Sequence, residues 1–179
     1  MQKLGNRFRN ASAVAALLLA LPAAGAWAAG EDCTDPIFIG GLPYDDSRTT
    51  CAYADDYGEA CPAGDNSPDV VYHYYDPAVT RCVDARLCDS YSGFDFKLYV
   101  YSDVAGCPPV GSGETARDIA CDDNSCAPHP QILHLTLQLG IHYYFVVDSP
   151  GDNRCGTYVF ELDECPEPRF FNRGIADID

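Results

Sequence analysis

Ten cysteines, at positions 33, 51, 61, 82, 88, 107, 121, 126, 155 and 165, constrain this 179-residue chain more than any other feature. All of them follow residues 1–29, which read as a secretory signal peptide. Lys3, Arg7 and Arg9 form a basic start, Ala11 to Leu21 an apolar run, and Ala26-Trp27-Ala28 a small-residue cleavage signal. The apolar run is too short for a stable membrane span, and no later segment is longer, so no membrane insertion is expected. An even cysteine count in an exported chain reads as a disulfide framework. Zinc is the competing reading, but the close pairs are spaced C-x₅-C (82/88) and C-x₄-C (121/126) with no matching histidine half. The expected location is therefore secreted or periplasmic.

The charge is one-sided. After residue 29 there are 27 acidic against eight basic side chains, a net charge of −19. Phosphate backbones need clustered Lys and Arg, so nucleic acid is excluded as a partner. The acidity fits either solubility outside the cell or a hard cation such as calcium.

From Val70 onward the chain alternates with period two, the mark of half-buried strands. Val70 to Tyr75 is β-branched and aromatic. Thr80 to Cys88 places Val83, Ala85 and Leu87 on one face. Phe94 to Tyr101 sets Phe94, Phe96, Leu98 and Val100 against Asp95, Lys97, Tyr99 and Tyr101. Arg117 to Cys121 is a shorter candidate. Gln131 to Leu139 puts Leu133, Leu135, Leu137 and Leu139 inward; His142 to Asp148 and Gly156 to Leu162 complete the set. Turns rich in Gly, Pro and Asp separate these segments, and no helical periodicity competes. The expected fold is an all-β antiparallel sandwich. Residues 30–63 read as a cysteine-containing extension packed on the body, 64–165 as the sandwich, and 166–179 as a loose tail.

Five segments in order carry a resemblance: G-D-N-S-P-D-V-V-Y-H-Y (64–74), L-C-D-S-Y-S-G-F-D-F-K-L-Y-V-Y (87–101), I-A-C-D-D-N-S-C (119–126), L-T-L-Q-L-G-I-H-Y-Y-F-V-V-D (135–148) and C-G-T-Y-V-F-E-L (155–162). Together they resemble the bacterial pre-peptidase C-terminal domain in its cysteine-bearing secreted variants, over about two thirds of the exported part. The resemblance implies a jelly-roll-like sandwich, a non-catalytic accessory role beside exported enzymes, and calcium binding in some members. No peptidase domain accompanies this chain, so it would act alone or serve a partner.

No H-E-x-x-H, G-x-S-x-G or P-loop pattern is present. The acidic loop Asp122, Asp123 and Asn124 suits calcium if a second segment supplies oxygens, and the family pattern brings Asp95 and Asp103 toward it. The same loop suits an Asx-type turn, in which Asp and Asn side chains bond nearby backbone N–H groups. A second acidic loop, Asp148 with Asp152 and Asn153, has the same ambiguity. His129 has no cysteine–histidine cluster to complete a soft-metal site. Tyr99 and Tyr101, on the polar side of their strand, are candidates for a binding face, with cross-strand packing as the alternative. A pairing scheme from loop positions joins Cys107 to Cys121, Cys88 to Cys126, Cys33 to Cys165, Cys82 to Cys155 and Cys51 to Cys61.

The expected function is that of an exported, non-catalytic binding or accessory module for an extracellular polysaccharide or protein. No cofactor is required, and calcium is an optional structural ion. The alternative is a small secreted hydrolase whose site carries no recognisable motif.

Overall fold

The computed structural model describes residues 29–58, 66–90, 93–104 and 119–166. The signal peptide expected at 1–29, Ala29 excepted, lies outside the described residues, as do Cys61, Cys107 and all but Pro166 of the expected tail.

Among the described residues, nine strands form two sheets: β1 (Ile37–Phe38), β2 (Tyr44–Thr49), β3 (Val70–Tyr75), β4 (Arg81–Arg86), β5 (Lys97–Ser102), β6 (Ala120–Asp122), β7 (Gln131–Leu137), β8 (His142–Asp148) and β9 (Thr157–Glu164). One sheet runs β1-β3-β8-β5-β6 and the other β2-β9-β4-β7. Taken from β2 to β9, the chain builds these sheets in jelly-roll order, and β1 adds one parallel strand beside β3. The all-β sandwich expected from the alternation is what the chain forms. The segment 30–63, read as an extension, contributes a strand to each sheet. β2 pairs along its whole length with β9, from Tyr44 opposite Leu162 to Thr49 opposite Thr157.

The core lies between the sheets. Val70, Tyr72, Leu98, Val100, Phe145 and Val147 from one sheet meet Val83, Ala85, Leu137, Tyr158, Phe160 and Leu162 from the other. Tyr72 stacks on Phe160 with ring centroids 4.5 Å apart. Gly156 admits Phe94 at the sandwich edge: a Cβ there would come within 2.6 Å of the ring, closer than any real contact.

The alternation of β7 is not uniform. Val83 pairs with Leu135 and Ala85 with Ile132, so Asp84 faces both Leu133 and His134. This is a β-bulge, with two residues opposite one. His134 takes a positive φ of 56° there, and its N–H donates to Asp84 Oδ1 at 2.8 Å. The bulge shifts the phase of the strand. Ile132 is buried, while Leu133, expected inward, is 46% exposed; Leu139 lies in the turn beyond the strand, also exposed.

The described cysteines are all disulfide-bonded. Cys88–Cys126 forms as expected. Two other bridges, Cys51–Cys155 and Cys82–Cys165, replace the expected Cys51–Cys61, Cys82–Cys155 and Cys33–Cys165. The reason is topological. β9 lies between β2 and β4, so the cysteines flanking it, Cys155 and Cys165, meet Cys51 after β2 and Cys82 in β4. Expected Cys107–Cys121 involves a residue outside the described ones. These bridges fit a chain that matures in an oxidising compartment. Among the described residues no helix is long and apolar enough to cross a membrane.

Candidate functional site: the outer face of the five-stranded sheet

Because β3, β8 and β5 are neighbours, their outward side chains line up in transverse rows. Strand pairing sets Lys97 opposite Asp148, Tyr99 opposite Val146, and Tyr101 opposite Tyr144. Across the other edge of β8, Val71 faces Val146, His73 faces Tyr144 and Tyr75 faces His142. Asp69, one residue before the Val70–Val147 pair, falls opposite Asp148. Asp123, one residue beyond the Asp122–Leu98 pair, falls beside Lys97.

The charged row is covered. Lys97, Asp148 and Asp69 are fully buried, as are Val71, Val146 and Tyr99 in the next row. Tyr57 of the N-terminal segment packs on Tyr101 at 6.1 Å, and its hydroxyl accepts from Cys33 N–H at 3.1 Å. This covering corrects the expectation that Tyr99 and Tyr101 form an exposed binding face: they are 0% and 1% exposed. Tyr99 hydroxyl donates instead to Asp148 Oδ2 at 3.0 Å. Lys97 Nζ lies 3.3 Å from the same oxygen and 5.3 Å from the Tyr99 ring centroid. Asp69 Oδ2 accepts from Asp56 N–H and Tyr57 N–H at 2.9 and 2.8 Å, while its Oδ1 is buried with no hydrogen-bond partner. Burial, and then the charge of Asp148, push the Asp69 carboxyl well above its usual range.

The five residues expected around calcium divide. Asp123 lies close enough to Asp95 for that charge to raise its carboxyl, after burial as the larger cause, and each keeps one buried oxygen without a hydrogen-bond partner. Asp122 is committed to the turn: Oδ2 accepts from Ser125 N–H at 3.0 Å and Gln131 N–H at 2.8 Å, and Oδ1 from the Ser125 hydroxyl. Asn124 is exposed and donates to Asp123 Oδ2. Asp103 is the correction. It lies at the opposite end of β5, where its N–H donates to His142 C=O at 2.9 Å. At about 3.3 Å per residue the strand separates it from Asp95 by roughly 25 Å. Calcium takes six to eight oxygens; Asp95 and Asp123 offer two carboxylates, and the Lys97 ammonium is near enough to act on Asp123. The expected calcium set does not assemble, and the loop behaves as the Asx-type turn.

Among the described residues sulfur and imidazole converge at Cys82, His134 and Cys165, within 4.8 Å. The two cysteines form a disulfide, so no thiolate is there to bind a metal. His129 is 2% exposed, packed near Phe96, with neither ring nitrogen hydrogen-bonded.

At the Asp103 end the outer face opens. Tyr75 stacks on His142 at 4.2 Å, His142 on His73 at 4.9 Å, and Phe38 meets His73 edge-on at 5.0 Å. Tyr144 closes the group, 5.1 Å from His73. Phe38 is 70% and Tyr75 41% exposed. His73 Nε2 and His142 Nδ1 are 2.7 Å apart, one imidazole donating to the other. Burial, then His142, lower the pKa of His73, with Asp103 acting in the opposite sense. Beside Tyr75 a cleft of ≈ 230 Å³ is bounded by Gly40, Gly41, Tyr74, Arg81 and Glu164. Arg81 pairs there with Asp76 at 3.0 Å and with Glu164. The sequence reading placed His73 and His142 within strands but did not join them. Their common face was legible as two H-x-Y patterns, His73-x-Tyr75 and His142-x-Tyr144, each presenting an imidazole and a phenol on one side of a strand.

Compared with known protein families, curated proteins and solved structures, the chain matches none.

Proposed function

We propose that this chain is an exported, non-catalytic module that binds an extracellular polysaccharide through the aromatic and imidazole platform of Phe38, Tyr75, His73, His142 and Tyr144. The observation that carries this reading is the continuous stack from Tyr75 through His142 to His73, open to solvent at Tyr75 and flanked by exposed Phe38. A sugar ring has an apolar C–H face and a rim of hydroxyls. Flat aromatic surfaces suit the first, and the Arg81, Asp76 and Glu164 side chains around the adjacent cleft suit the second. Two exposed aromatic side chains, Phe38 and Tyr75, beside the half-buried His142 and Tyr144 favour an interaction site over solubility alone. The resemblance to pre-peptidase C-terminal domains supports the accessory role and the absence of catalysis.

Affinity electrophoresis of the purified protein through gels containing individual neutral and acidic polysaccharides tests this reading. At least one polymer retards the wild-type protein, and Tyr75→Ala or Phe38→Ala abolishes the retardation without altering the unfolding midpoint. Retardation that survives both substitutions, or turnover of the retained polymer by the purified protein, would overturn it.

A further inference from the structure

We propose that Lys97 and Asp148 are joined by an intramolecular isopeptide bond that the chain forms by itself, with Asp69 relaying the proton. Three observations converge. First, the two side chains are cross-strand partners on the central strands β5 and β8, both fully buried, with Lys97 Nζ 3.3 Å from Asp148 Oδ2. The attacking nitrogen is thereby held beside the carboxyl group it would attack, and positioning of this kind can reach effective molarities on the order of 10⁵–10⁸ M. Second, the carboxyl is held for attack: Tyr99 hydroxyl donates to Oδ2 at 3.0 Å and Ser149 N–H to Oδ1 at 2.6 Å. These donors would orient the carboxyl group and stabilise negative charge developing on its oxygens as the nitrogen attacks. Third, Asp69, the residue before β3, falls opposite Asp148 by extension of the β3–β8 register, buried, with Oδ2 fixed by two backbone N–H groups and Oδ1 without a partner.

Burial and the neighbouring carboxylate push the Asp69 carboxyl well above its usual range, which favours the neutral acid that the reaction would require. The Lys97 ammonium passes one proton to the Asp148 carboxylate, leaving a neutral amine and a neutral carboxylic acid. The nitrogen lone pair attacks Asp148 Cγ while Asp69 protonates the carbonyl oxygen. The nitrogen then returns a proton to Asp69, the C–O bond breaks, and water leaves with one carboxyl oxygen. A C–N bond forms, one water is released, and Asp69 ends as it began; no oxidant or co-reactant enters. Desolvating an ammonium and a carboxylate is costly, and a neutral amide removes both charges from the buried row.

The full chain, reduced, alkylated and unfolded, is weighed intact and then digested with trypsin. The expected mass is one water below that of the same chain uncondensed. Trypsin fails to cut after Lys97, and a branched peptide links Lys97 to Asp148. Asp69→Asn keeps an oxygen for the Asp56 and Tyr57 N–H groups; it retains the disulfides and the circular dichroism of the wild type but shows the uncondensed mass. A wild-type protein cut normally after Lys97 overturns the bond, as does loss of water without the branched peptide. Condensation at an unchanged rate in Asp69→Asn overturns the role of Asp69.

Discussion

Tyr72 of β3 and Tyr158 of β9 meet across the sandwich with their hydroxyls 2.8 Å apart, and Tyr72 also donates to Asp46 Oδ2 at 3.0 Å. This chain of polar groups passes through an otherwise apolar core and ties β2, β3 and β9 together. Burial is the main cause that raises both phenols far above their ordinary range, so they stay neutral and act as hydrogen-bonding groups. Tyr72→Phe leaves Tyr158 hydroxyl and Asp46 short of a partner and is expected to cost about 1–3 kcal/mol. Tyr158→Phe removes one neutral bond and should cost about 1 kcal/mol. Urea unfolding of both variants and of the double variant checks this; additive losses would mean the two hydroxyls do not interact.

Of the three bridges between described cysteines, Cys51–Cys155 closes the longest loop, with a sequence separation of 104. Replacing both by Ala is expected to lower stability by about 2–4 kcal/mol, because the unfolded chain regains the entropy the cross-link removed. Peptide mapping without reduction should recover Cys51–Cys155, Cys82–Cys165 and Cys88–Cys126. Recovery of Cys82 joined to Cys155 would contradict the strand order of the four-stranded sheet.

Asp122 holds its turn through backbone N–H groups, as a helix cap does. Asp122→Ala should cost about 1–2 kcal/mol, the loss typical of a cap, whereas Asp103→Ala at the far end of β5 should change little. Calcium at millimolar concentration against chelator should leave the melting temperature unchanged, since a native-state ligand stabilises by mass action. A rise with calcium that Asp123→Asn removes would restore a cation to the Asp95–Asp123 pair.

Asp56 gives a pH signature. Burial, then the charges of Glu31, Asp32 and Asp55, raise its carboxyl to about 6. A carboxyl whose folded pKa exceeds its unfolded value favours the folded state below the unfolded value, and that contribution is lost as pH rises through about 6. Asp56→Asn is therefore expected to raise the melting temperature at pH 7, with the advantage shrinking as pH falls from 6 toward 4. Thermal melts across that range check it; an advantage independent of pH would assign the effect to something other than ionisation.

Much of the sandwich was legible in the sequence because alternation is visible wherever one face of a strand is apolar. β5 has such a face, and Leu98 and Val100, with Phe96 just before the strand, point inward as expected; β3 and β8 were legible only as β-branched and aromatic runs. β2 escaped because in Y-D-D-S-R-T only Tyr44 packs on the core: it is an edge strand, and Asp46 reaches Tyr72 through a hydrogen bond. In β7 the bulge at Leu133 and His134 breaks the period, so four leucines at even spacing do not share a face. The platform at Tyr75 and His142 was visible only as paired H-x-Y patterns, because stacking depends on which strands become neighbours.

By itself the sequence determined that the chain forms disulfide-bonded strands, which side chains of β5 share a face, and that the acidic loop after β6 suits a turn. Those are local properties, set by the pleat and by nearby hydrogen bonds. The tertiary structure decided whether an outward face meets water or another segment. It also decided which cysteines meet, and that Asp69, Lys97 and Asp148 fall in one buried row. The jelly-roll order sends successive strands to different sheets, so spatial neighbours on a sheet are distant in the chain. Local alternation records the two faces of a strand but carries no information about what covers them.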